Sequence, residues 1–168
     1  MSEKAQKWIL EGERLKERSK RLPLLAPIEC ELEIYEKYIK NVPKGKNVLV
    51  LGATPEPRDL AIKNGLICYA LDISKGMLDK YTKLMEFKDN PNNIIKEGNW
   101  LEMNFSENFF DVAMGDASFN NLATKEDNEQ LIRVLKKVIQ KEGYIVLRSL
   151  EFPKIDPIPI EELVSLYR

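Results

Sequence analysis

Asn47-Val48-Leu49-Val50-Leu51-Gly52-Ala53-Thr54-Pro55-Glu56-Pro57, with Leu66-Ile67-Cys68-Tyr69-Ala70-Leu71-Asp72 downstream of it, is the stretch that decides the fold. Asn47 to Leu51 is a continuous run, apolar from Val48 on, that stops at a glycine, the pattern of a parallel strand covered on both faces. Thr54 suits a helix cap and Pro55 the first helical position, where a missing N–H costs nothing. Pro57 still falls in the first turn, so the two prolines stiffen the helix start without breaking it. A short helix is expected over Pro57 to Asn64, ended by Gly65, before a second strand over Leu66 to Leu71. Strand, turn, helix and strand in that order form a βαβ unit.

Outward from this unit the alternation continues. A helix is expected from Gly76 to about Phe87, a short strand over Asn93 to Lys96 and another over Phe109 to Met114. Leu131, Val134, Leu135 and Val138 mark a helix over Lys125 to Gln140, stopped near Gly143, and Gly143 to Leu147 is a fifth strand. Upstream, Glu3 to Lys20 reads as an amphipathic helix carrying Trp8, Ile9 and Leu15, and Ile28 to Ile39 as a second, with Leu32, Tyr35 and Ile39 on one side. The fold class is therefore α/β: a doubly wound, mostly parallel Rossmann-like sheet of about five strands preceded by two N-terminal helices. After Leu147, Pro153, Pro157 and Pro159 interrupt the remaining chain, leaving space for one short helix near Ile160 to Tyr167 and not for more strands. The 168 residues suit a single domain. It divides into an N-terminal helical lid (1–44), a cofactor-binding core (45–150) and a C-terminal extension (151–168).

Composition removes whole classes of function. The 26 basic and 27 acidic residues leave a net charge of -1, which gives no global field for nucleic acid or membrane. No apolar run is long enough to span a bilayer and the start lacks a signal-peptide core, so the expected location is cytoplasmic. With no His, the chain cannot build a Ser-His-Asp triad, a Cys-His pair or a His-ligated zinc site. Cys30 and Cys68 are far apart, in no CxxC, and are expected to be buried thiols; no metal site is expected. The basic stretch Arg14 to Arg21 reads as a solvated helix face, or as an approach for an anionic group.

In open αβ sheets the ligand sits beyond the carboxyl ends of the strands, against a helix N-terminus. The turn Gly52-Ala53-Thr54-Pro55-Glu56 lacks the further glycines of a dinucleotide fingerprint, and Glu56 is a poor neighbour for a pyrophosphate. An acidic side chain there suits the ammonium of an amino-acid tail; it would equally complement the helix dipole. Asp72 stands at the end of the second strand, about 20 residues after Gly52, where a carboxylate accepts both hydroxyls of a ribose. The alternatives for Asp72 are exposure or a capping role. Ser74 is a candidate cap for the next helix, and Met77 can lie over the adenine side.

These pieces, with Glu97-Gly98-Asn99-Trp100, Phe110-Asp111-Val112-Ala113-Met114-Gly115-Asp116 and Glu142-Gly143-Tyr144-Ile145-Val146-Leu147, occur in the order of the class I S-adenosylmethionine-dependent methyltransferases, which the chain resembles from Val48 to Arg148. The resemblance implies S-adenosylmethionine as cofactor. By it, Gly52, Ala53 and Thr54 would face the methionine moiety, Asp72 the ribose, and Ile73 and Met77 the adenine. Asn99 stands where the family often has an Asp bonding the adenine amino group; Trp100 beside it would border the cofactor or fill the core. Gly115 and Asp116 would face the place where sulfur and substrate meet, with Asp116 anchoring the ammonium, contacting substrate or serving as general base.

The sequence also departs from the family. Val50 replaces the acidic residue usual near the end of the first strand, so Glu56 or Asp116 would take the ammonium. Gly115-Asp116-Ala117-Ser118-Phe119-Asn120 is not the Asn/Asp-Pro-Pro-aromatic pattern of nucleic-acid amino-methylating enzymes. The acceptor is accordingly expected to be a small molecule or protein in preference to nucleic acid. The family's last two strands are expected to be missing. The alternatives are a non-catalytic S-adenosylmethionine-binding or partner-binding subunit and, third, a nicotinamide-dependent oxidoreductase. An exposed fifth-strand edge would offer one route to a homodimer.

Overall fold

The computed structural model describes residues 26–151. The expected Glu3 to Lys20 helix, the basic stretch and the chain beyond Glu151 lie outside the described residues. Helix α1 (Glu29–Ile39) leads into β1 (Asn47–Leu51), α2 (Pro55–Lys63), β2 (Ile67–Asp72), α3 (Lys75–Thr82) and β3 (Asn93–Glu97). A 3-10 turn at Trp100–Glu102 precedes β4 (Phe110–Asp116), a second at Phe119–Asn121 precedes α4 (Lys125–Val138), and β5 (Ile139–Arg148) follows. The five strands are ordered β3-β2-β1-β4-β5 and every neighbouring pair is parallel. The α/β Rossmann-like class expected from the sequence is the one observed.

Strand alternation assigns each side chain to a face. Val48, Val50, Cys68, Val112 and Met114 point to one side, where Tyr35 and Ile39 of α1 and Ala61 and Ile62 of α2 cover them. Ala53 and Ala70 continue that side under Met77, Leu78 and Tyr81 of α3. Leu49, Leu51, Leu71 and Ala113 point to the other, against Leu131, Leu135 and Val138 of α4. Tyr69, Phe105, Phe109 and Phe110 extend that second core as edge-on and stacked rings.

Three local expectations are corrected. Helix α3 stops at Thr82, well short of Phe87, because the N–H groups of Glu86 and Phe87 donate to the Asp59 carboxylate of α2 (3.0 Å each) instead of continuing the helical ladder. Helix α4 ends at Val138, and Ile139 already pairs with Phe110; the next pair is Val112 with Tyr144. Gly143 thus lies inside β5, within the stretch that bulges against Phe110 to Val112, and does not cap the helix. Cys30 is exposed because α1 turns Tyr35 and Ile39 inward and leaves Cys30 outside, whereas Cys68 is buried and burial pushes its thiol up to about 12.

Candidate active site

Strand order reverses direction between β1 and β4, so their connections leave in opposite senses and open a crevice at the carboxyl edge. Around it the sequence places Gly52-Ala53-Thr54 after β1, Asp72-Ile73 at the end of β2, Gly98-Asn99-Trp100 after β3 and Gly115-Asp116 at the end of β4. The fold brings the four segments to one edge of the sheet.

Gly52 has φ +109, a conformation side-chain-bearing residues rarely adopt. Its N–H donates to the Leu71 carbonyl at 2.8 Å, and Trp100 Nε1 donates to the same carbonyl at 2.6 Å. A Cβ at Gly52 would lie 3.7 Å from Trp100 Cζ2 and 3.8 Å from Asp72 Oδ2, so indole and carboxylate flank the turn. The turn then enters α2 with Pro55 at its first position and Glu56 half-buried in the first turn. Thr54 occupies the cap position but makes no capping bond. Its hydroxyl donates to Asp116 Oδ2 at 3.3 Å instead.

Asp72 Oδ1 accepts the Ser74 N–H at 2.8 Å. Burial pushes the Asp72 carboxyl up to about 6, against the opposing effect of that N–H. Ser74 is the cap of α3, accepting from Met77 N at 3.3 Å. Ile73 beside it is 40% exposed, an apolar side chain facing outward at the mouth, while Met77 is buried with Ala53. The Asn99 side chain accepts from Leu101 N at 3.0 Å and thereby caps the 3-10 turn. Trp100 is partly buried and packs on the Leu49 and Leu51 core.

Asp116 is joined to residues that sequence reading did not bring to the site. Its Oδ1 pairs with Arg148 Nη1 of β5 at 2.7 Å, and Arg148 Nε pairs with Glu31 Oε1 of α1 at 2.8 Å. Burial alone would raise the Glu31 carboxyl, but Arg148 and the Ile28 N–H outweigh it and hold it low; burial would likewise lower Arg148, but the two acids outweigh it and hold the guanidinium above its ordinary value. Tyr35, buried in α1, donates its hydroxyl to the Gly115 carbonyl at 2.6 Å. A charged residue closing the apolar run Ile145 to Leu147 was the one sequence signal for Arg148.

Residues 51–147 match a family described as a methyltransferase domain. The chain belongs to the class I S-adenosylmethionine-dependent methyltransferases. No protein with a curated description matches it. Among solved structures it is similar to a provisionally named S-adenosyl-L-methionine-dependent methyltransferase of Methanococcus maripaludis (TM-score 0.64, 16% identity, 89% of this chain and 65% of that one). It is also similar to Haemonchus contortus phosphoethanolamine N-methyltransferase 2, solved with phosphomonomethylethanolamine and S-adenosylhomocysteine (TM-score 0.62, 16% identity, 96% and 35%). A third, provisionally named Zn-dependent alcohol dehydrogenase, comes from Rhodobacter sphaeroides (TM-score 0.68, 19% identity, 98% and 59%). At these identities the likenesses show the fold, and the chain spans less than two thirds of each of these proteins. Among the described residues no cluster of His, Cys, Asp and Glu could hold a metal, and no helix is long and apolar enough to cross a membrane.

Proposed function

We propose that the chain binds S-adenosylmethionine at the crevice between β1, β2 and β4 and transfers its methyl group to a small-molecule or protein acceptor. The observation that carries the reading is the half-buried Asp72 carboxylate beside Gly52, at the end of β2, with the apolar Ile73 exposed next to it. The donor set fits the cofactor. Asp72 Oδ2 is an acceptor for the ribose diol, Ile73 and Met77 border the adenine, and Trp100 closes the floor. The Gly52 N–H is taken by the Leu71 carbonyl and Pro55 and Pro57 have none, so the turn's donors for the carboxylate of the methionine moiety are the backbone N–H groups of Ala53 and Thr54. Asp116 supplies the acidic partner for its ammonium, with Glu56 the second candidate.

The bound cofactor supplies an activated methyl on a sulfonium. The chain's own residues then act by orientation: they hold donor and acceptor near attack distance, where alignment alone lowers much of the barrier. Both oxygens of Asp116 are engaged, with Arg148 and with Thr54, which suits an anchor better than a proton acceptor. The proposal carries the division into lid, core and extension with it, and a cytoplasmic address.

Calorimetry tests the reading. S-adenosylmethionine or S-adenosylhomocysteine binds the wild-type chain, and Asp72→Ala, still folded by circular dichroism, loses at least about tenfold in affinity, as expected for removing a charged acceptor of two hydroxyls. Unchanged affinity would remove the ribose assignment. Tighter binding of NAD would revive the oxidoreductase reading.

A further inference from the structure

The methyl-transfer reading uses Asp116 as an anchor but gives no part to Arg148 and Glu31, which continue the chain Glu31, Arg148, Asp116 and Thr54 away from the crevice. It crosses four elements that are distant in sequence: α1, β5, β4 and the turn after β1. Arg148 and Asp116 have side chains only 9% and 5% exposed, and Glu31 only 30%. Groups buried to that degree are costly to hold charged unless paired and hydrogen-bonded. A structural ion pair would be complete with Arg148 and Glu31 alone. Here Nη1 donates a hydrogen bond to Asp116 while Nε lies 2.8 Å from Glu31 as an ion pair, so one planar guanidinium stands between two carboxylates and orients towards both. Asp116 Oδ1 is held from the β5 side and Oδ2 is left at the β1 turn, where Thr54 meets it at 3.3 Å.

The surrounding backbone is fixed as well. Tyr35 holds the Gly115 carbonyl, Ala117 N donates to the Arg148 carbonyl at 2.9 Å, and Asn120 and Leu150 exchange two hydrogen bonds. Ala117 takes φ +54, a conformation a non-glycine residue keeps only when its neighbours impose it. Every one of these contacts acts on the loop that carries Asp116.

We propose that Arg148 is a positioning residue: clamped by Glu31, it holds the Asp116 carboxylate as a fixed anion facing the first-strand turn, where it receives the α-ammonium of the cofactor's amino-acid tail. The proposal rests on the S-adenosylmethionine reading. It replaces the acidic residue the family usually carries on the first strand, where this chain has Val50, by an acid on β4 oriented from β5. Arg148 itself touches no ligand.

The test compares two ligands by calorimetry: S-adenosylhomocysteine and its analogue lacking the α-amino group. Wild type prefers the amino-bearing ligand. Arg148→Met loses that preference, by about tenfold or more, while affinity for the desamino analogue stays within about twofold. Arg148→Lys, which keeps the charge but not the fork, recovers part of the preference. Equal loss for both ligands makes Arg148 a purely structural residue and overturns the proposal, as does an unchanged preference. If Arg148→Met does not fold, Glu31→Gln at the more exposed end of the chain gives the same readout in milder form, and the same two outcomes count against it. Failure of the wild type to bind either ligand would instead overturn the cofactor reading beneath it.

Discussion

Asp72 combines two opposed pH dependences in one side chain. Burial raises its folded carboxyl from 3.8 to about 6, so ionisation is disfavoured in the ligand-free folded state. Below 3.8 both states are neutral and the side chain costs nothing; as pH rises through about 6 the unfolded chain has already lost its proton and the folded one loses stability. Asp72→Asn keeps the Ser74 contact without the charge. Its melting temperature at pH 7.5 should therefore exceed that of wild type, with the gain fading toward pH 4; a gain of the same size at both pH values would remove the explanation. Ligand binding runs the other way, because hydroxyl donors favour the carboxylate. Affinity for S-adenosylhomocysteine should rise between pH 5 and pH 7.5 in wild type and stay flat in Asp72→Asn, measured by calorimetry in matched buffers. The position of Asp72 at the end of β2 was legible in the sequence because strand end and acid lie on one short βαβ unit. Glu31 and Arg148 were not, since what gives them meaning is a meeting of α1 with β5 that only the folded sheet creates.

The elements that sequence periodicity located well are those whose partners are their own neighbours. Asn47–Leu51 has the same bounds in the structure as in the sequence reading, because an apolar run ending in a positive-φ glycine contains its own stop signal. The ends of α3 and α4 were misplaced because tertiary contacts set them: the Asp59 carboxylate at one and the Phe110 to Ile139 pairing at the other. Gly143 shows the difference physically. A helix cap there would need only backbone freedom, yet the structure demands space: a Cβ would sit 2.6 Å from the Asp111 carbonyl oxygen and 2.6 Å from Ile139 Cγ2. Gly45 is the opposite case, with φ +79 and nothing within 4 Å of its missing Cβ. Gly143→Ala should cost about 2–3 kcal/mol through overpacking against backbone, and Gly45→Ala about 1–2 kcal/mol through conformational strain. Urea midpoints at unchanged slope decide the order. A Gly143→Ala variant more stable than Gly45→Ala would contradict the bulge.

Across the whole molecule, one buried cation ties the site to the sheet face beneath it. Arg58 of α2 is fully buried, and burial lowers its guanidinium from its ordinary value. It donates to the Ala53 carbonyl in the turn (3.2 Å), to Thr82 Oγ1 at the end of α3 (2.7 Å) and to Asn93 Oδ1 at the start of β3 (2.8 Å). Nothing local in Pro55-Glu56-Pro57-Arg58 announces this, because an Arg on a helix is ordinarily a surface residue. The three acceptors come together only once α2 and α3 lie side by side over β2. A methionine of similar length would avoid the desolvation of the charge but leave the buried Ala53 carbonyl, and the half-buried Thr82 and Asn93 oxygens, without this donor. A buried acceptor that loses its donor keeps its full desolvation penalty. Arg58→Met should therefore destabilise the fold by about 1–3 kcal/mol in urea unfolding, the cost of leaving a buried acceptor without its donor. Arg58→Lys should recover part of that loss, since an ammonium can still donate but cannot span all three acceptors at once. Because Ala53 belongs to the turn, Arg58→Lys should also weaken S-adenosylhomocysteine binding more than its stability loss alone accounts for, checked well below the unfolding transition. Equal affinity in a folded Arg58→Lys chain would separate the turn from this buried scaffold.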